Sequence, residues 1–148
     1  MSAVTAQAEP VTGRATAFVM TGRLLLLLVA VEFALAGLGA FSGLDDGGTG
    51  GDRWAAHAAI GFLVALLAVV LLAESAALRL GASTVLWTSV IAALTLVGQP
   101  VLAALGEHAS PWFGMLHALD GVAVAAALGI LTARVSRVSR VAPVTPAP

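Results

Sequence analysis

Five strongly polar side chains lie well inside otherwise apolar stretches of this chain: Glu32, His57, Gln99, His117 and Asp120. Ionisable groups are costly in hydrocarbon and by default mark a functional site. Two histidines can ligate a metal ion. A carboxyl group can orient an imidazole by accepting its ring N–H, carry a proton, or contact a quinol.

The spacing of these residues repeats. Glu32-Phe-Ala-Leu-Ala-Gly-Leu-Gly39 aligns with Gln99-Pro-Val-Leu-Ala-Ala-Leu-Gly106, and His57-Ala-Ala-Ile-Gly61 aligns with His117-Ala-Leu-Asp-Gly121. Each half therefore carries a carboxylate or amide, a run of small residues, a loop, and then His-x-x-x-Gly. This pattern suggests one site assembled twice around an axis.

The elements that must position these residues are membrane helices. The chain has 148 residues, of which 59% are hydrophobic and 10% charged, with a mean hydropathy of +1.01. Crossing a hydrocarbon core of about 30 Å takes about 20 helical residues. Four segments reach that length: Gly22–Phe41, Trp54–Ala73, Ser83–Leu105 and Phe113–Ala133. Backbone polar groups in lipid must be satisfied within each segment, so each reads as an α-helix. The expected fold is all-α, a four-transmembrane-helix bundle built from two parallel helix-hairpin repeats. Arg14 and Arg23 ahead of an apolar run, with Ala34-Leu35-Ala36 after it, imitate a signal peptide. The run is a full span and contains Glu32, so it reads as a retained first helix.

Residues 1–21 read as a mostly disordered N-terminal tail, 22–141 as the transmembrane domain, and 142–148 as a disordered Pro-rich tail. All basic residues are arginines. Arg14, Arg23, Arg79, Arg134, Arg137 and Arg140 fall on one side of the spans and Arg53 on the other. The positive-inside rule then puts both termini in the cytoplasm of a cell that carries the protein in its plasma membrane. Trp54 and Trp112 open the second and fourth spans at the outer face, as belt residues do. The acidic Gly-rich loop Ser42–Arg53 lacks the ligand spacing of an EF-hand and reads as a flexible connection. The chain has no cysteine, which excludes disulfides, thiolate metal sites and covalent c-type haem. The net charge of −1 offers nothing to nucleic acid.

This topology places all five polar residues in the outer half, and gives the repeat an axis along the membrane normal. His57 and His117 then face each other across the bundle centre at similar depth, as two axial ligands of one b-type haem would. Gly61 and Gly121, four residues on and on the same helix faces, leave room for a flat ring or for a close helix. Zinc or copper needs a third or fourth ligand, which Glu32 or Asp120 could supply. Asp120 follows His117 by three residues and is placed to steer it. Glu32 orients a histidine or, buried, holds a proton. Pro100 withholds a backbone donor from Leu96 and predicts a kink beside Gln99. His108 reads as an exposed loop residue.

Glu32-Phe-Ala-Leu-Ala-Gly-Leu-Gly-Ala-Phe41, His57-Ala-Ala-Ile-Gly61, Gln99-Pro-Val-Leu-Ala103 and Leu116-His117 resemble a family of small four-helix membrane proteins found largely in actinobacteria. That resemblance implies topology only. The same residues also resemble one half of haem A synthase, whose four-helix halves carry haem-ligating histidines on their second and fourth helices. It implies His57 and His117 as haem ligands, Glu32 as the first-helix carboxylate and Gln99 as the third-helix glutamine. This chain has a single half and no cysteine pair, and two histidines on one iron leave no site for oxygen chemistry. The expectation is therefore haem b bound in a cytochrome b-like bundle, serving electron transfer or haem handling, with no reaction specified. The expected partners are the lipid bilayer, a redox partner or quinol, and a further copy of the chain. The alternatives are an accessory membrane subunit without cofactor and a proton-coupled small transporter.

Overall fold

A computed structural model describes residues 11–42 and 52–141. The acidic Gly-rich loop from residue 43 to 51, the first ten residues and the Pro-rich tail lie outside the described residues. The chain forms helices α1 (Val11–Ser42), α2 (Asp52–Ala77), α3 (Ala82–Ala93), α4 (Gln99–His108) and α5 (Pro111–Val141). A π-helical turn, Leu94–Gly98, joins α3 to α4 into one continuous span. Among the described residues, four spans are thus long and apolar enough to cross a bilayer: Ala15–Ala40, Trp54–Ala77, Ala82–His108 and Pro111–Val138. The chain is a multi-pass membrane protein with an all-α four-helix bundle. Large exposed apolar side chains such as Phe62, Leu38 and Leu86 cover its outer surface, as lipid contact requires.

Local chemistry sets the two described turns. Arg79 closes α2 in the left-handed region at φ 51°. Its N–H donates to Ala76 O at 3.1 Å and Leu80 N–H to Ser75 O at 3.1 Å, the paired bonds of a Schellman cap. Gly81 at φ 97° then opens α3. At the other end Ser110 precedes α5, with its Oγ 3.4 Å from Trp112 N and Pro111 at the first helical position. There Gly106 lies so near α5 that a Cβ on it would sit 2.9 Å from Gly114 N. Two glycines are what permit that approach.

Each helix packs beside its neighbour in the chain, and α5 closes the ring on α1. The third span thus lies diagonally opposite α1, and α2 lies opposite α5. The apolar core contains Phe18, Leu25, Val29, Val64, Ala68, Leu71, Ile91, Ala92, Val124, Leu128 and Leu131. It fills the middle of the bundle and the end that bears the termini. Beyond Val29, Val64, Thr95 and Val124, towards the other end, the only fully buried described residue is Gly39. Among the described residues that third, called outer only as the one away from the termini, has no apolar core, and all five polar residues lie there.

The tail expected through Thr21 is helical from Val11. Ala15, Phe18 and Val19 are buried, Phe18 within the same core as Leu128 and Leu131 of α5. Burial of these three apolar residues outweighs the small and polar composition around them. At the other end of the chain α5 continues past the expected fourth span, through Arg134 and Arg137.

Candidate functional site

Two polar pairs occupy the outer third, one in each hairpin. In the first, α1 presents Glu32 and α2 presents His57. Glu32 Oε2 lies 2.5 Å from His57 Nδ1, and the side chains are 13% and 24% exposed. The approach is a close polar contact, with the ring N–H off the line of an aligned hydrogen bond. The other carboxyl oxygen, Oε1, is buried without a hydrogen-bond partner.

In the second hairpin Gln99 and His117 clamp each other reciprocally. The His117 Nδ1 lies 3.0 Å from the Gln99 carbonyl oxygen. A carbonyl only accepts, so Nδ1 carries the proton and Nε2 of the neutral ring keeps its lone pair. In return the Gln99 amide donates to His117 O at 3.1 Å and to Asp120 Oδ2 at 2.9 Å. Asp120, expected to steer His117 directly, instead acts through Gln99.

The backbone just before Gln99 makes this clamp possible. Gln99 N–H donates to Leu94 O, five residues back. This wider turn adds a residue to the helical repeat and re-aims the side chains of α4. π-bulges of this kind are frequent at functional sites. The kink expected from Pro100 takes the form of this turn. The missing N–H of Pro100 leaves the preceding turn free to widen.

The two imidazoles meet across the α2–α5 diagonal. Their centroids are 6.2 Å apart and their planes are inclined by 78°. Trp54 stands edge-on to His57 at 5.8 Å. Both histidines therefore share one place, as their spacing in the sequence implied. His108 stands apart, highly exposed, with its Nε2 3.9 Å from Glu107 Oε2.

Gly61 and Gly121 lie against side chains of neighbouring helices. A Cβ on Gly61 would meet the Glu32 carboxyl at 3.8 Å. A Cβ on Gly121 would meet the Phe33 ring at 3.3 Å and Gln99 Nε2 at 3.7 Å. Both positions are covered by the chain's own side chains. Phe33 against Gly121 and the π-turn were not read from the sequence. Phe33 has no compositional signal, since it looks like any lipid-facing aromatic residue.

The donor set decides which metals suit the site. No group of three or more His, Cys, Asp or Glu side chains among the described residues is arranged to hold a metal ion. A zinc or copper site with three or four protein ligands is therefore not assembled there. What is assembled is a pair of imidazoles in edge contact, each with Nδ1 near an oxygen from its own hairpin. For His117 the hydrogen bond at Nδ1 is the outer-shell arrangement that fixes a ring and frees its Nε2. No protein-family model, no curated protein and no solved structure matches this chain.

Proposed function

We propose that this membrane protein binds one b-type haem in the outer third of its bundle, with His57 and His117 as axial ligands. The observation that carries this reading is the 6.2 Å separation of the two imidazole centroids. Metal–imidazole bonds of about 2 Å, plus about 1 Å from each nitrogen to its ring centre, put opposed ligands roughly 6 Å apart. The Gln99 carbonyl holds Nδ1 of His117, Asp120 holds Gln99, and Glu32 lies against Nδ1 of His57. The lack of an apolar core among the described residues of this third supports the same reading. A haem with both axial positions filled transfers electrons and does not activate oxygen. The function is accordingly electron transfer or haem handling, as the resemblance to one half of haem A synthase also suggests. The pairing of Glu32 with His57 and of Gln99 with His117 fits a parallel internal repeat. Arginines crowded at the terminal end favour cytoplasmic termini in a plasma membrane.

A second reading is an accessory subunit whose polar residues only lock the helices. The covering of Gly61 and Gly121 by Glu32 and Phe33 favours it. Proton-coupled transport is disfavoured by the buried layer of Leu25, Val29, Val64, Ala68 and Leu71 between the polar site and the terminal end.

The absorption spectrum of the purified protein separates the readings. Protein from haem-replete cells is expected to show a reduced b-type spectrum, lost in His57→Ala and in His117→Ala. Folded protein that carries no haem, and takes up none when it is added, refutes the haem reading and leaves the accessory one.

A further inference from the structure

The terminal end of the bundle carries a set of arginines with no ion-pair partner among the described residues. Arg23, Arg79, Arg134 and Arg137 are all exposed there. They come from α1, the α2–α3 turn and α5. Among the described residues, none of them lies within ion-pair distance of a carboxylate, since both close charge contacts involve histidine. The one described acid at this end, Glu74, turns to α1 instead and accepts from Thr21 Oγ1 at 3.0 Å.

Packing contacts set the relative depths. A Cβ on Gly22 would come within 2.5 Å of Thr132 Oγ1, so those two residues share a level. At about 1.5 Å per residue, Arg23, Arg134 and Arg137 then lie within about 10 Å of that level along the bundle axis. Thr21 and Glu74 tie α2 to the same level, and Arg79 follows Glu74 by five residues. The cations are thus gathered near one level at the terminal end of the bundle.

We infer that this arginine set selectively retains anionic phospholipid over zwitterionic lipid around the terminal end of the bundle. Arg23 and Arg134 come from α1 and α5, the helices that meet at Gly22 and Thr132, and Arg79 and Arg137 add to the same end. Each guanidinium offers several N–H donors to phosphate oxygens. An uncompensated cation near an anionic surface raises association by about fivefold per arginine at low salt.

Trp87 supplies the reporter. It lies at this end of α3 and is 45% exposed, whereas Trp54 and Trp112 lie at the opposite end. The full-length Trp54→Phe/Trp112→Phe protein is reconstituted in phosphatidylcholine vesicles. These contain equal mole fractions of either brominated phosphatidylcholine or brominated phosphatidylglycerol. The expected result is stronger quenching by the anionic lipid, with a several-fold higher relative association constant. Replacing all four arginines by glutamine is expected to bring that ratio close to one. Raising the salt on the parent protein is expected to lower it as well, which decides the matter even where the fourfold variant fails to insert. Equal quenching by the two lipids overturns the inference, as it would if the set served an acidic protein instead. A preference that neither salt nor the glutamine substitutions reduce overturns it too.

Discussion

Gly22→Ala tests how the bundle is held together without touching the polar site. The added Cβ would lie 2.5 Å from Thr132 Oγ1, 3.3 Å from its Cγ2 and 3.5 Å from its Cβ. Comfortable contacts between such atoms begin near about 3.5 Å, so the clash with Oγ1 falls short by about 1 Å. Rotating Thr132 about χ1 offers no clean escape, because the residue is 5% exposed and a methyl group would replace the hydroxyl at the contact. Either α1 and α5 separate or a side chain leaves its rotamer. Overpacking of this kind costs about 1–3 kcal/mol. Thr132→Ala removes the obstacle, together with a buried hydroxyl that has no hydrogen-bond partner. The double variant is therefore expected to recover most of the loss, giving a coupling of about 1–2 kcal/mol. The assay is reversible unfolding in mixed micelles with increasing dodecyl sulfate, followed by far-ultraviolet circular dichroism. Gly22 lies ten residues from Glu32, about 15 Å along α1, so haem uptake by the folded fraction should be unchanged. A neutral Gly22→Ala, or a double variant as unstable as the single one, refutes the packing argument.

Two further substitutions address the polar layers. Glu32→Ala removes the group against His57 Nδ1 and is expected to weaken haem binding about 10–100-fold while leaving the bundle folded; an unchanged Kd in a haem titration would show that Glu32 does not orient the ligand. Thr88→Val breaks the 2.8 Å bond between the buried hydroxyls of Ser75 and Thr88, although Ser75 keeps its bond to Leu72 O. The expected loss is about 1 kcal/mol in the same unfolding assay, and a stability equal to or above the parent's would mean that the α2–α3 contact is held by packing alone.

Much of the site was legible because expensive residues stand out in apolar sequence. Glu32, His57, Gln99, His117 and Asp120 could be singled out by position, and the helix periods placed them in one half of the membrane. The partners of each were less legible. Asp120 has the spacing of a histidine's neighbour, yet it engages Gln99 because the π-turn re-aims that side chain. Gly61 and Gly121 share an offset from their histidines, but an offset says nothing about which side chain of another helix fills the space. Ala15, Phe18 and Val19 sit in a segment whose composition suggests a loose tail. Only the presence of α5 beside them makes that segment a helix.

Sequence alone determined the solvent and the four helical spans. A chain this apolar, in four runs of span length, must satisfy its backbone internally and so forms helices. It also determined which side chains would be costly to leave unpartnered. The tertiary structure decided the order of helices around the ring. That order set α2 opposite α5 and brought two histidines sixty residues apart in sequence to 6.2 Å. It decided where the apolar core ends, leaving polar residues to fill the outer third. It decided too that Gln99 and His117 grip each other's backbone. These outcomes depend on which helix faces meet, and a face acquires its neighbours only when the whole bundle closes.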